Sequence, residues 1–405
     1  MSVQSMSEPS SSAPLLPRVA SFLFVAFLLV VVITPVAYVF YGSFRTDSPG
    51  APDAGFTLAN WQTAYLSPVY LDALWNTVVL GVVVAALSLV IGGALAWIVA
   101  RTDTPGRNTF ALLIIVPLMI SNLITTLAWI ALAAPNAGFI NAYVRMFTGI
   151  RTIFDIYSFS GIVTVHVLHY AAFAFLALFA ALRSIDASLE EASYMLGVGP
   201  LRTSIRMTLP LIAPTIATTF LVIFIFVAEN FSVPTLLGTP VDFQTLPSMI
   251  FFNMAVTPTQ PTIAAASGTV LLWIALIGTV LQRRMTSRAN RYVTVTGKGS
   301  RHRLARLGIW RYFTCAFVVL YLLLAVGLPY IALVLGSLMN FLTPRLRPEV
   351  FTLDNYRTFF VGDNFAPVLN SLGLSICGGL GLTIIYVLLS FVIGRVRSRW
   401  AFAAD

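Results

Sequence analysis

"LEEASYMLGVGPLRTSIRMTLPLIAP", residues 189–214, is a polar, punctuated stretch set between two long apolar runs. It packs Glu190, Glu191, Arg202 and Arg206 into a chain in which only 10% of residues are charged. Ser188-x-x-Glu191 has the spacing of a capping box: the Ser oxygen takes first-turn N–H groups while the Glu reaches back. Acids at that end also suit the helix dipole. Gly197 is placed to end the short helix in the left-handed region. Pro200 then starts a second helix and Pro210 the apolar one after it, since proline is favoured at a first helical position. The expectation is two short helices at a sharp angle, held against one membrane face. An amphipathic helix resting on lipid would carry Lys or Arg, and the first helix carries acids. A merely solvated loop has no use for such caps. A docking surface for a soluble protein uses both the rigidity and the exposure.

The surroundings are those of a membrane protein. The chain has 405 residues, 58% of them hydrophobic, against about 45–50% apolar and about 25% charged in soluble domains. Runs able to cross roughly 30 Å of hydrocarbon as helix fall at about 19–42, 74–100, 109–134, 157–182, 211–231, 263–282, 312–340 and 369–394. Pro35, Pro117 and Pro214 within them are expected as kinks. With the N-terminus in the cytoplasm, the inner loops hold 18 of the 24 Lys and Arg; Arg45, Arg145, Arg151, Arg345, Arg347 and Arg357 fall outside. The positive-inside rule thus accounts for the net charge of +9 without any nucleic acid. Cys315 and Cys377 both sit in apolar runs and read as buried small hydrophobes. Residues 1–18 are Ser/Pro-rich and read as disordered. The apolar run after Arg18 reads as a retained anchor.

A repeat crosses the chain. "FTLANWQTAY" (56–65) returns as "FTLDNYRTFF" (351–360), identical at five of ten positions. Each copy follows one span and precedes an Asn (Asn76, Asn370) in the next, which ends at Arg101 or Arg395. The offset is about 294 residues, and the two copies face the same way. A parallel duplication of a six-helix unit is the simplest account. Asp405 corresponds to a point just after the second span of the second copy, so this copy is incomplete. A full one would bring the chain to roughly 550–600 residues.

The opening stretch resembles the EAA loop of binding-protein-dependent ABC importer permeases, the MetI-like family. The matching residues are Glu191, Ala192, Ser193, Gly197, Leu209 and Pro210, with Ser193 where the pattern has a second Ala. The resemblance covers about residues 19–288 and again the partial copy. Duplication and "ENFSVPTLLGTP" (229–240) look most like the fused ferric-iron type; polyamine, thiamine, sulfate and phosphonate permeases share the architecture. It implies an all-α membrane protein of about eight spans. Residues 19–288 would form the first unit with its EAA loop at 188–210, 289–311 a basic cytoplasmic linker, and 312–405 the start of the second unit. It implies a non-catalytic subunit of the bacterial inner membrane that binds no cofactor. ATP and Mg would sit on a cytoplasmic ABC ATPase dimer engaged through Glu190, Glu191, Ala192, Ser193, Gly197, Leu209 and Pro210. A periplasmic or extracellular solute-binding protein would dock on the other side.

Glu229 and Asn230, at the outer end of the fifth span, are candidates for a pathway or gate; alternatively the helix stops by Val227 and Glu229 is interfacial. His166 and His169 share a helix face, but two imidazoles without a further ligand do not make a metal site, and they read as packed, hydrogen-bonded core residues. Residues 134–145 and 232–262 read as short re-entrant or lid helices. No phosphate-binding loop, zinc spacing or Ser-His-Asp order occurs. A secondary transporter of the major-facilitator kind would also duplicate six helices, yet it would carry mid-membrane coupling charges and a longer loop than "RTDTPGRNT". A membrane enzyme would need a cluster of catalytic groups.

Overall fold

The computed structural model describes residues 15–47, 51, 54–185, 193, 195–289, 304–344 and 347–395. Residues 1–14, most of the basic linker (290–303) and the 186–192 stretch with Glu190, Glu191 and Ala192 lie outside these. The chain divides into two compact units, Gly42–Leu353 and a second made of Met1–Tyr41 with Asp354–Asp405.

The larger unit is built on α3 (Pro68–Arg101) and α7 (Phe159–Ser184). Both are apolar along almost their whole length, and their facing sides bury Leu80, Val84, Leu95, Phe175 and Leu178. Gly92 lets the backbones meet: a Cβ there would lie 2.5 Å from the Ala171 carbonyl oxygen and 2.6 Å from Ala174 Cβ. One end of the pair is pinned by Arg101, whose Nη2 donates to the Leu182 carbonyl at 2.6 Å. Against this pair packs α8 (Leu209–Glu229), and against α8 in turn α11 (Pro261–Ala289).

Among the described residues, seven helices are long and apolar enough to cross a membrane, eight if one bent pair counts as a single span. That pair corrects the expectation of a continuous helix over 109–134. Arg107–Met119 and Asn122–Ala133 (α5) meet at 97°. Pro117 lies in a 3₁₀ turn, Ile120 is extended, and the Ser121 side chain accepts from Leu123 N to start α5 afresh. A proline removes one helical bond; with a capping serine directly after, the chain restarts in a new direction instead of kinking.

Two further helices answer a proline differently. Leu209-Pro210 and Leu328-Pro329 are each preceded by a π turn, Ser204–Thr208 and Leu323–Gly327. Leu209 N and Leu328 N reach back to Ser204 O and Leu323 O. Pro210 therefore does not open its span, as the sequence suggested; one apolar stretch runs unbroken from Ser204 to Glu229. At the other end of the chain, α1 (Leu15–Ser43) begins inside the stretch expected to be disordered.

The repeat is visible in the backbone. Antiparallel bridges Arg45↔Phe56 and Met339↔Phe351 occupy corresponding places. Thr57 N donates to Phe44 O, and Thr352 N to Leu338 O, both at 2.8 Å. Short helices α2 (Ala59–Leu66) and α14 (Asp354–Phe360) follow. Packing and repeat are nevertheless out of phase. The first span of the second copy, α12 (Trp310–Leu322) with α13 (Leu328–Ser337), lies on the first copy. The Tyr321 hydroxyl donates to Leu168 O at 2.9 Å, and Thr314 and Thr104 hydroxyls pair at 2.7 Å. The lead-in is clipped to the loop after α3 by the Thr102↔Ala305 bridge and by Leu307 N on Asp103 Oδ1 at 3.0 Å. In the smaller unit, none of the span within α15 (Ala366–Arg395) is buried.

The Gly92 contact yields a stability test. Gly92→Ala should destabilise the bundle by about 1–3 kcal/mol through overpacking against backbone. At Gly93→Ala the new methyl meets only Leu178 Cδ1 at 3.4 Å, and the thermal midpoint in detergent should stay near that of the parent.

Candidate functional site

Within the polar stretch, the described residues form an elbow. Val198 N donates to Ser193 O at 3.2 Å and Gly197 has φ +76°. This six-residue closure around a left-handed glycine is the helix ending expected for Gly197. A Cβ on Gly197 would meet nothing within 4 Å, so the constraint is one of backbone conformation alone. Ser193 then binds across the elbow, its hydroxyl pairing with that of Thr203 at 2.8 Å. Thr203 in turn closes the next turn, with its N–H and hydroxyl both on Gly199 O. Ser204, where the apolar span begins, accepts from Trp97 Nε1 of α3 at 2.8 Å. Ser193, Gly197, Leu209 and Pro210 are thus brought into one continuous piece, fixed to α3 next to the Arg101–Leu182 contact.

The elbow's outer surface is apolar. Met195 and Leu196 are 88% and 83% exposed, and Ile205 is exposed beside Arg202 and Arg206. Sequence reasoning centred on the acids and the glycine and passed over Met195, Leu196, Thr203 and Trp97. Two adjacent large apolar residues on a capped polar helix were the available signal.

At the opposite end of α8, the helix continues to Glu229 and stops at Asn230, which is extended (φ −75°, ψ 121°). The reading in which it ended by Val227 is set aside. Asn230 N turns back to Val227 O, and Asn230 Oδ1 accepts from Val233 N at 3.2 Å, starting α9 (Ser232–Gly238). The carbonyl freed in the last turn, Phe226 O, accepts from the Tyr170 hydroxyl of α7 at 3.4 Å; Tyr170 in turn accepts from Asn122 Nδ2 of α5. His166 is fully buried, and its Nδ1 donates to Ile162 O at 2.9 Å. Its ring and that of Tyr170 stack at 6.1 Å, and His169 meets Tyr170 edge-on at 5.0 Å. The expectation of packed, hydrogen-bonded histidines holds for His166 Nδ1. Asn230 flanks the His166 ring, and among the described residues His169 Nδ1 and Asn122 Oδ1 have no hydrogen-bond partner. Nor do the described residues hold a group of three or more His, Cys, Asp or Glu placed for a metal.

The short segments between spans take the expected helical form. In α6 (Phe139–Thr148) Asn141 is buried and Nδ2 donates to Ala133, Ala134 and Phe154 carbonyls. Its Oδ1 accepts from Ile153 and Phe154 N–H. One side chain thereby closes the whole 133–154 turn. Residues 232–262 form α9 and α10 (Leu246–Ala255), whose Thr245–Ser248 capping box is buried.

Comparison with known proteins agrees with this architecture. The model of the family "binding-protein-dependent transport system inner membrane component" matches residues 92–291. The ferric transport system permease protein FbpB of Actinobacillus pleuropneumoniae is 27% identical over 270 residues, 67% of this chain and 38% of that protein. The chain thus spans well under half of that relative. A putative ABC transporter permease protein, ORF1 of Streptomyces antibioticus, is 30% identical over 233 residues, 57% of this chain and 94% of that protein. Among solved structures, a bacterial ABC transporter involved in the import of the acidic polysaccharide alginate superposes with TM-score 0.52. At 20% identity it covers 68% of this chain and 97% of that one, a likeness of fold.

The elbow's dependence on backbone conformation is testable by hydrogen exchange at the Val198 amide. Gly197→Val should lower protection by about 1–2 kcal/mol, the cost of a left-handed residue bearing a Cβ. Gly197→Asn should lose much less, because asparagine tolerates that region.

Proposed function

The chain belongs to the binding-protein-dependent transport system inner membrane components, and from that premise we propose that it is the membrane permease of an ATP-driven importer. The observation that carries this reading is mechanical continuity. The elbow at Gly197 is tied through Ser193–Thr203 to the segment that becomes the apolar span Ser204–Glu229 without interruption. A soluble partner that moves the elbow therefore moves that helix. The partner is an ATPase dimer of the cytoplasm, which supplies ATP and Mg; Met195 and Leu196 present the apolar contact, with Glu190 and Glu191 beside them in sequence. A solute receptor works from the opposite side, above Glu229 and Asn230, which line the pathway or its gate. ATP-driven closure would act as a population shift: the partners bind one state of the permease better than the other and so favour it.

Membership of the family supports a non-catalytic role for this subunit. Ferric iron as the solute is supported by the likeness to FbpB; polyamine, thiamine, sulfate or phosphonate would be carried by the same architecture. The charge asymmetry of the loops supports a cytoplasmic N-terminus. The Trp97–Ser204 and Arg101–Leu182 contacts put the elbow and the loop after α3 at one end of the bundle, as that orientation requires.

Two measurements test this. Leu196→Asp places a charge at a site so exposed that folding should not change, yet it should weaken retention of the ATPase by at least about tenfold, the loss of a buried apolar anchor. Glu191→Ala should weaken it too, with the thermal midpoint unchanged. Full retention by both variants would remove the elbow from the coupling role. For orientation, with Cys315 and Cys377 replaced, Asp47→Cys should react with impermeant thiol reagents from the receptor side. Gly199→Cys should react only from the ATPase side; the reverse pattern would invert the topology.

A further inference from the structure

The helix of the fifth span is continuous from Ser204 to Glu229 and ends short of the Phe159 end of α7. His166, beside which α8 ends, lies seven residues along α7 from Phe159, about 10 Å inward at 1.5 Å per residue. Asn230 flanks both His166 and Tyr170. From there α9 climbs to the Phe159 end of α7, where Phe243 packs edge-on against Phe159 at 5.6 Å. The break at Glu229–Asn230 therefore lies below the rim of the bundle. Non-helical backbone at such depth is tolerated where protein buries it or where it lines water. Protein buries most of this one, but Glu229 itself is exposed. An ionisable side chain facing hydrocarbon there would cost several kcal/mol.

The face to which Glu229 belongs is distinct from the packed ones. Toward α7 the helix buries Ile223 and Val227; toward α3 it sets Phe224 on Gly81, and toward α11 Ile225 on Gly278. Thr215, Thr218, Val222 and Glu229 recur at i, i+3, i+7 and i+14 and so share a remaining side. All four are at least partly exposed.

The polar atoms at the break have one character. His166 Nδ1 donates to a carbonyl, so in the neutral ring Nε2 is an acceptor. Asn122 Oδ1 is an acceptor with no donor among the described residues, and the Glu229 carboxylate is another acceptor. No Lys or Arg occurs in α5, α8 or α9, and in α7 only Arg183, near its far end. An unpaired amide oxygen and a carboxylate, away from any Lys or Arg of these helices, suit a positively charged ligand and repel a phosphate or sulfate.

We propose that the break at Glu229–Asn230, with Tyr170, Asn122 and His166 around it, is a solute-contacting site of the pathway that selects cationic solutes over anionic ones. It rests on the permease reading, but its test needs neither ATPase nor receptor, so failure of elbow docking and failure here are separate results. The full chain, with Cys315→Ala and Cys377→Ala and a single Val222→Cys, is reconstituted in liposomes. Its reaction rates with cationic and anionic methanethiosulfonates of similar size are compared. Val222 is about 10 Å from Glu229 along the helix. There one negative charge should favour the cationic reagent by at least about threefold over a free thiol. Glu229→Gln should erase that preference. Terbium(III) or spermidine should slow the reaction, the first indicating a metal cation and the second an ammonium ligand, while sulfate should not. Thr218→Cys serves if Val222→Cys does not fold. Failure of both reagents to react would mean that the face is covered, and the proposal falls. It falls equally if the preference is absent or survives Glu229→Gln, if neither cation protects, or if sulfate protects as well.

Discussion

In hydrocarbon a backbone N–H or C=O without a partner costs several kcal/mol, and this chain interrupts its helices repeatedly. Each interruption is repaired from close by, and the repairs shape the molecule. At Ile120 the repair is the Ser121 cap, which allows the third span to turn through 97°. Before Leu209-Pro210 and Leu328-Pro329 it is a π turn, which keeps the helix running where a proline has removed a donor. At Asn230 it is partly borrowed from another helix: the Tyr170 hydroxyl takes up Phe226 O, while Asn230's own Oδ1 takes up Val233 N. Where a π turn makes the repair the helix survives; where a cap or a side chain from another helix makes it, the helix ends.

That distinction also separates what was legible in the sequence from what was not. The spans, the repeat and the glycine at 197 depend on hydropathy, identity and local conformation, which single residues carry. Gly197 is the clearest case, since its left-handed φ follows from a short-range helix ending and no neighbour touches it. The break at residue 120 was half legible: Pro117 was noted, but the capping role of Ser121 was not. The Tyr170–Phe226 bond could not be foreseen, because it joins residues on helices brought together only by the fold. The π turn was missed for a related reason. A Leu-Pro pair tells that a bond is lost, while the surrounding packing decides whether the helix tolerates it.

The candidate coupling segment shows the same mixture. The acids at 190 and 191 drew the reading, but what the described structure fixes is the following part, through Ser193–Thr203 and Trp97–Ser204. Serine at 193, where the resembling pattern has alanine, is more than a small-for-small replacement. Its hydroxyl fastens one arm of the elbow to the other, which an alanine could not do. Rigidity at this point is therefore a property of this sequence in particular.

The disagreement between repeat and packing bears on how such a molecule can move. The linker separates the copies in sequence, yet the helix after it is held to the first copy at three levels. These are the Thr102↔Ala305 bridge, the Thr104–Thr314 pair and the Tyr321–Leu168 bond. Buried Val318, Tyr321, Ala325 and Ala332 extend that contact over the length of the span. A helix fastened and buried in this way packs as part of the first copy and cannot act as a free tether between the two.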